Sequence, residues 1–224
     1  MTADTPPPAA PDYAEDGRRL FAGPCDFFFA STKADDLPPQ GAAEIAFAGR
    51  SNVGKSSLLN ALTNRKTLAR VSHTPGRTQQ LNFFALGGPI GEERLWLVDM
   101  PGYGYAAVGK EKVASWGRLM RDYLRGRATL ARAFVLIDGR RGVKPVDLEM
   151  FDLLDQSALS YQIVLTKHDE LKVSERAEVQ AATLEALKKR PAAFPELIFT
   201  SSHTGEGIPE LRAAVAKLLA ERGG

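Results

Sequence analysis

Short apolar runs alternate with longer amphipathic stretches along most of the chain. The runs fall at residues 44–48 (EIAFA), 81–86 (LNFFAL), 94–98 (RLWLV), 133–137 (AFVLI), 162–165 (QIVL) and 197–199 (LIF). The aromatic run at residues 27–29 adds one more candidate strand. Strands this continuously apolar are buried on both faces, as in parallel sheets. The stretches between them predict helices over about 55–63, 111–126, 146–158, 173–189 and 207–221. In the last of these, Ile208, Leu211, Ala214, Val215, Leu218 and Leu219 share one helical face. The alternation predicts an α/β fold with a mostly parallel central sheet and helices on both faces. The short Gly/Pro-containing link between runs 81–86 and 94–98 leaves no room for a helical crossover, so one strand is expected to run antiparallel. Residues 1–20, rich in Pro, Ala and Asp, read as a disordered tail. Residues 21–224 read as a single folded body.

Composition narrows the class. The chain has 224 residues, 44% of them hydrophobic and 25% charged, with a formal net charge of +2. That charge is too small to argue for nucleic acid unless basic residues cluster locally. A single cysteine, Cys25, excludes an internal disulfide and any all-cysteine metal site. No apolar run approaches the length of a membrane span. The first residues carry neither the basic segment nor the apolar stretch of a secretory leader, so the expected compartment is the cytoplasm. Nothing signals an obligate oligomer, and a monomer is expected.

The chemistry sits at the ends of the predicted strands. Gly49-Arg50-Ser51-Asn52-Val53-Gly54-Lys55-Ser56 follows one strand, opens a helix and matches G-x-x-x-x-G-K-[ST]. Glycines let the backbone curl so that successive N–H groups meet anionic oxygens, and the helix dipole adds to their pull. Lys55 is placed to reach the β- and γ-phosphates, and Ser56 offers a hydroxyl to Mg²⁺. Asp99-Met100-Pro101-Gly102 follows the next long run. Asp99 suits a water-mediated Mg²⁺ contact, and the Gly102 N–H suits the γ-phosphate. Thr166-Lys167-His168-Asp169 follows the run at 162–165. Asp169 could accept two hydrogen bonds from guanine, at N1–H and the exocyclic amine, where adenine offers none. Lys167 would lie along base and ribose. Thr200, Ser201 and Ser202 follow the last run, and their backbone N–H groups could meet guanine O6. In Thr74-Pro75-Gly76-Arg77-Thr78-Gln79-Gln80, Thr78 is the candidate for Mg²⁺ and the γ-phosphate, with Thr74 in reserve. Lys55, Thr78 and Gly102 are the candidate catalytic groups. An open doubly wound sheet binds its ligand outside the carboxyl ends of its strands, where these motifs converge.

The motifs GRSNVGKSS, TPGRTQQLNFF, VDMPGYGYA, TKHDEL and SSHTGEGI resemble those of the EngB (YihA/YsxC) GTPases of the Era-like translation-factor class. The resemblance spans about residues 22–222. It implies a Ras-like P-loop GTPase fold, Mg²⁺-dependent hydrolysis of GTP to GDP, a role in large ribosomal subunit assembly, and a requirement in cell division and septation. It also suggests that Asn52 helps hold K⁺ beside the phosphates. Two positions depart from the general GTPase pattern. Thr166 stands where Asn is commoner and is expected not to reproduce the amide's bracing of the phosphate loop. Tyr103 stands where many GTPases carry a water-orienting glutamine, which implies a slow enzyme alone. A GTP-occupancy sensor with negligible hydrolysis shares every motif. Finally, residues 118–144 hold a local basic excess with Arg118, Arg121, Arg125, Arg127, Arg132, Arg140, Arg141 and Lys144. Arg118, Arg121 and Arg125 recur at helical spacing and suit ribosomal RNA phosphates, alongside Arg140 and Arg141.

Overall fold

A computed structural model describes residues 12–68, 80–104 and 110–223, with backbone only for 110–116. Gly76, Arg77, Thr78 and Gln79, the reserve Thr74 and residues 1–11 lie outside the described residues. The strands are β1 (Cys25–Ser31), β2 (Ala43–Gly49), β3 (Leu81–Leu86), β4 (Leu95–Asp99), β5 (Leu130–Asp138), β6 (Tyr161–Thr166) and β7 (Ile198–Phe199). They form one sheet in the order β1-β3-β4-β2-β5-β6-β7. β3 runs against both neighbours, β1 and β4, and every other pairing is parallel. This is the expected α/β architecture, with β3 as the antiparallel strand.

The helices are α1 (Tyr13–Ala22), α2 (Lys55–Leu62), α3 (Lys110–Gly126), α4 (Pro145–Gln156), α5 (Val173–Leu187) and α6 (Ile208–Glu221). Strand side chains alternate between two cores. Ile45 and Phe47 of β2 face Leu58, Leu62, Leu211 and Val215 from α2 and α6. Ala46 and Ala48 face the opposite core, which holds Met120 and Tyr123 of α3, Phe151 and Leu154 of α4 and Leu187 of α5. Fully burying one such aliphatic or aromatic side chain contributes about 1.5–3 kcal/mol, so the two layers hold the strand ends rigidly in register.

The expectation of a tail through residue 20 needs correcting. Helix α1 starts at Tyr13, capped by Asp12, whose Oδ1 accepts the Glu15 N–H at 3.1 Å. Leu20 and Phe21 are buried in the α2/α6 core. Gly17 sits so close to α6 that a Cβ there would lie 2.5 Å from the Arg212 carbonyl. Proline density upstream masked a short D-x-x-E helix start.

Candidate nucleotide-binding site

Five parallel strands end side by side, and four of them, β2, β4, β6 and β7, hand over to the motif loops. β2 leads into residues 49–56. The turn needs a left-handed residue at Gly54, where φ is 101°, before α2 begins at Lys55. Asn52 also adopts positive φ, at 65°. The Lys55 ammonium pairs with the Asp99 carboxylate at the end of β4. Both side chains are largely shielded from solvent. Met100 points into the core and donates its N–H to the Phe47 carbonyl at 3.0 Å, so only its backbone borders the site.

At β6, the Thr166 hydroxyl donates to the Val53 carbonyl at 2.7 Å. The phosphate loop is therefore braced by Thr166, contrary to the expectation from its residue type. The strand end brings the hydroxyl close enough that the longer amide is not needed. Lys167 adopts the left-handed region, with φ at 59°. Its Nζ donates to the Asn52 carbonyl at 3.1 Å and to Asp138 Oδ2 at 2.9 Å. Asp138 ends β5, one strand over, opposite Thr166 in the ladder. Burial opposes its ionisation, yet hydrogen bonds from Arg140 and Lys167 outweigh that and hold its pKa at about 2. Lys167 is thus fixed along one wall of the site by a permanently charged partner.

Asp169 and the β7 loop form the opposite wall. The Ser201 hydroxyl hydrogen-bonds to the Asp169 carboxylate and lowers its pKa. Ser201 is fully buried, and its Oγ also accepts the N–H groups of His203 at 3.2 Å and Thr204 at 3.0 Å. One serine thereby orients both the carboxylate and the backbone turn beside it. An ionised carboxylate is acceptor-only, which suits a ligand edge made of N–H donors. Thr200 is buried and tied to β6 through its N–H to the Leu165 carbonyl at 2.8 Å, whereas Ser202 is exposed at the loop tip. The buried His168 ring packs against Phe199, with Nδ1 3.0 Å from Glu206 Oε1.

The structure thus brings together residues 49–56, Asp99 to Gly102, Thr166 to Asp169 and Thr200 to Ser202. Gln80, just before β3, donates to Asn82 Oδ1 at 2.7 Å. Sequence reasoning missed Asp138 as a site residue, although its place at a strand end was visible. The basic segment needs a correction. Arg127 and Arg132 are buried. Arg140 is held between Asp138 and Glu170, each at 2.6 Å. Arg118, Arg121, Arg125, Arg140, Arg141 and Lys144 are exposed.

Phosphate recognition at one strand end and a carboxylate reader of base edges at another is how P-loop GTPases divide the holding of GTP, and this fold and site define that class. The sequence matches the family described as a 50S ribosome-binding GTPase over residues 44–167. It is 62% identical over 212 residues to a probable GTP-binding protein EngB of Rhodopseudomonas palustris, covering 95% of this chain and 97% of that one. A counterpart of the same name from Afipia carboxidovorans is 59% identical, with 93% and 95% covered. The crystal structure of a probable GTP-binding protein engB superposes with a TM-score of 0.61 at 26% identity, covering 80% of this chain and all of that one. The chain belongs to the EngB family of GTP-binding proteins.

Proposed function

We propose that the protein binds GTP with Mg²⁺ and hydrolyses it to GDP and phosphate as a switch in assembly of the large ribosomal subunit. The observation that carries the nucleotide reading is the pairing of the Lys55–Asp99 phosphate end with the Ser201-oriented Asp169 base end. Residues 49–56 would surround the phosphates, with Lys55 on the β- and γ-oxygens. Gly102 and, from the undescribed segment, Gly76, Arg77, Thr78 and Gln79 would answer the γ-phosphate. Among the described residues, no group of three or more His, Cys, Asp or Glu side chains could hold a metal by itself. The Ser56 hydroxyl and the Asp99 carboxylate are the hard oxygen donors that Mg²⁺ takes when phosphates complete its shell. Ser56 and Thr78 would hold it, and it would supply charge neutralisation. Lys55 and the loop amides would stabilise the charge that develops as water attacks in line.

The family description, a 50S ribosome-binding GTPase, supports the partner. The exposed Arg118, Arg121 and Arg125 on α3, with Arg141 beyond β5, offer the surface for RNA phosphates. A division and septation requirement then follows from a shortage of ribosomes. The protein works as a monomer in the cytoplasm, where ribosomes are built; no described helix is long and apolar enough to cross a membrane. Reversing the charge of Arg121 and Arg125 should weaken binding to large-subunit particles by at least about tenfold. Nucleotide affinity should not change. Co-sedimentation at fixed salt measures this, and undiminished binding would remove α3 from the interface.

Alone, the enzyme should be slow, at roughly 10⁻⁴ to 10⁻² s⁻¹. Asn52 is exposed at the mouth of the loop, where it could help hold K⁺ beside the phosphates. Turnover should therefore be faster in KCl than in NaCl at equal ionic strength, and equal rates would discard the ion. The test of the whole reading is single-turnover GTP hydrolysis with and without large-subunit particles, mature and precursor. Acceleration by particles supports the switch. The occupancy-sensor reading is favoured by one observation: Tyr103 is buried and cannot orient water as glutamine does. Rates that no particle raises would establish that reading instead.

A further inference from the structure

Two buried side chains next to the phosphate loop, Asp147 and Tyr103, have no binding role in the site described so far. Asp147, in the first turn of α4, is fully buried. Its Oδ1 accepts the Tyr103 hydroxyl at 2.9 Å, and its Oδ2 accepts the Lys144 N–H at 2.8 Å. Arg50, inside the phosphate loop, places Nε 3.3 Å from the same Oδ1, an ion pair without hydrogen-bond geometry. One carboxylate thus joins the phosphate loop, the residue after Gly102 and the start of α4.

The backbone at Tyr103 is fixed as well. Its N–H donates to the Gly49 carbonyl at 3.2 Å, and its carbonyl accepts the Ser51 N–H at 3.3 Å. Gly102 is pressed so close that a Cβ there would lie 3.0 Å from Ser51 Oγ and 3.2 Å from its N. Burial and the neighbouring carboxylate push the Tyr103 pKa far up, so the phenol keeps its proton and stays a donor.

We propose that Asp147 and Tyr103 are positioning residues that pin Gly102 against the phosphate loop, and so set the preference for nucleoside triphosphate over diphosphate. The inference rests on the guanine-nucleotide reading of this site. Only a triphosphate carries the γ-phosphate that the Gly102 amide would meet. Loosening the latch therefore penalises the triphosphate and spares the diphosphate. The same bond explains why Tyr103 does not replace the missing glutamine: its side chain is directed into the core, toward α4.

The test compares dissociation constants of fluorescent GDP and a fluorescent non-hydrolysable GTP analogue in wild type, Tyr103→Phe, Asp147→Asn and Tyr123→Phe. Tyr123→Phe is a matched control, because Tyr123 makes the other buried phenol–carboxylate bond, to Glu44 Oε2 at 3.0 Å, away from the site. The ratio of analogue to GDP affinity should fall about tenfold in Tyr103→Phe, the size of one hydrogen bond to a charged group. It should fall in the same direction in Asp147→Asn and stay at the wild-type value in Tyr123→Phe. An unchanged ratio in folded Tyr103→Phe and Asp147→Asn overturns the latch and leaves the site reading intact. A fall shared by Tyr123→Phe reduces it to general destabilisation and also overturns it. If wild type binds neither nucleotide, the site reading fails, and the latch falls with it.

Discussion

Replacing Asp169 by Asn should lower GTP affinity by about two to four orders of magnitude, because two hydrogen bonds to a charged group contribute roughly 1.5–3 kcal/mol each. The loss has a direction. Asparagine presents one acceptor and one NH₂ donor, and the donor would face guanine's own N–H groups. Xanthine carries a carbonyl at that position, so xanthosine triphosphate should gain what GTP loses. The structure explains why a small change acts strongly. Asp169 is held ionised by the Ser201 hydroxyl, and Ser201 is itself locked by the His203 and Thr204 amides. The Ser201 bond orients a carboxylate that is otherwise exposed, so its acceptor face is turned consistently toward the ligand edge. Competition of labelled GDP with GTP and xanthosine triphosphate measures both effects. A uniform loss for both nucleotides would point to collapse of the loop rather than base reading.

The second large effect lies at the opposite end of β2. Arg127→Ala should destabilise the fold by about 3–5 kcal/mol, the cost of removing one partner from a buried ion pair. Glu44 is fully buried and accepts from Tyr123 Oη at 3.0 Å, from Thr129 Oγ1 at 2.7 Å and from the Arg127 guanidinium. Arg127 also donates to the Pro38 carbonyl at 2.6 Å and lies 5.9 Å from the ring centroids of Phe83 and Trp96. Alanine leaves Glu44 charged, buried and short of its cation, and opens a gap beside two aromatic rings. At about 2–4 °C per kcal/mol for a chain of this size, the melting midpoint should drop by roughly 10 °C. Glu44→Gln combined with Arg127→Met should recover part of the loss, since a neutral pair of similar volume carries no stranded charge. Nucleotide affinity of the folded fraction should not change. Glu44 precedes Gly49 by five residues of strand, roughly 16 Å at about 3.3 Å per residue.

Much of this architecture is written locally in the chain. The runs ending at Ala48, Val98, Leu165 and Phe199 read as strands because each is short, apolar and followed by turn chemistry. The phosphate loop reads as such because Gly54, Lys55 and Ser56 carry their function in adjacent positions. What stayed hidden depends on partners distant in sequence. Asp138 resembles any strand-end acid until Lys167 and Arg140 are seen on it. Arg127 and Arg140 resemble members of a basic patch until Glu44, Asp138 and Glu170 are found to hold them. Thr166 looks too short to brace the loop from residue type alone, because the strand-end distance that lets its hydroxyl reach the Val53 carbonyl is set by the fold. The proline-rich approach obscures helix α1, although Asp12 and Glu15 spell its start.

Calorimetric titration of the nucleotide-free protein with GTP, GDP and ATP in Mg²⁺ buffer decides whether the site is built for guanine nucleotides. GTP and GDP should bind, and ATP should bind at least about 10⁴-fold more weakly, because adenine leaves the Asp169 carboxylate unpaired. Comparable binding of ATP and GTP would contradict the base assignment. Absence of any guanine-nucleotide heat would contradict the site as a whole.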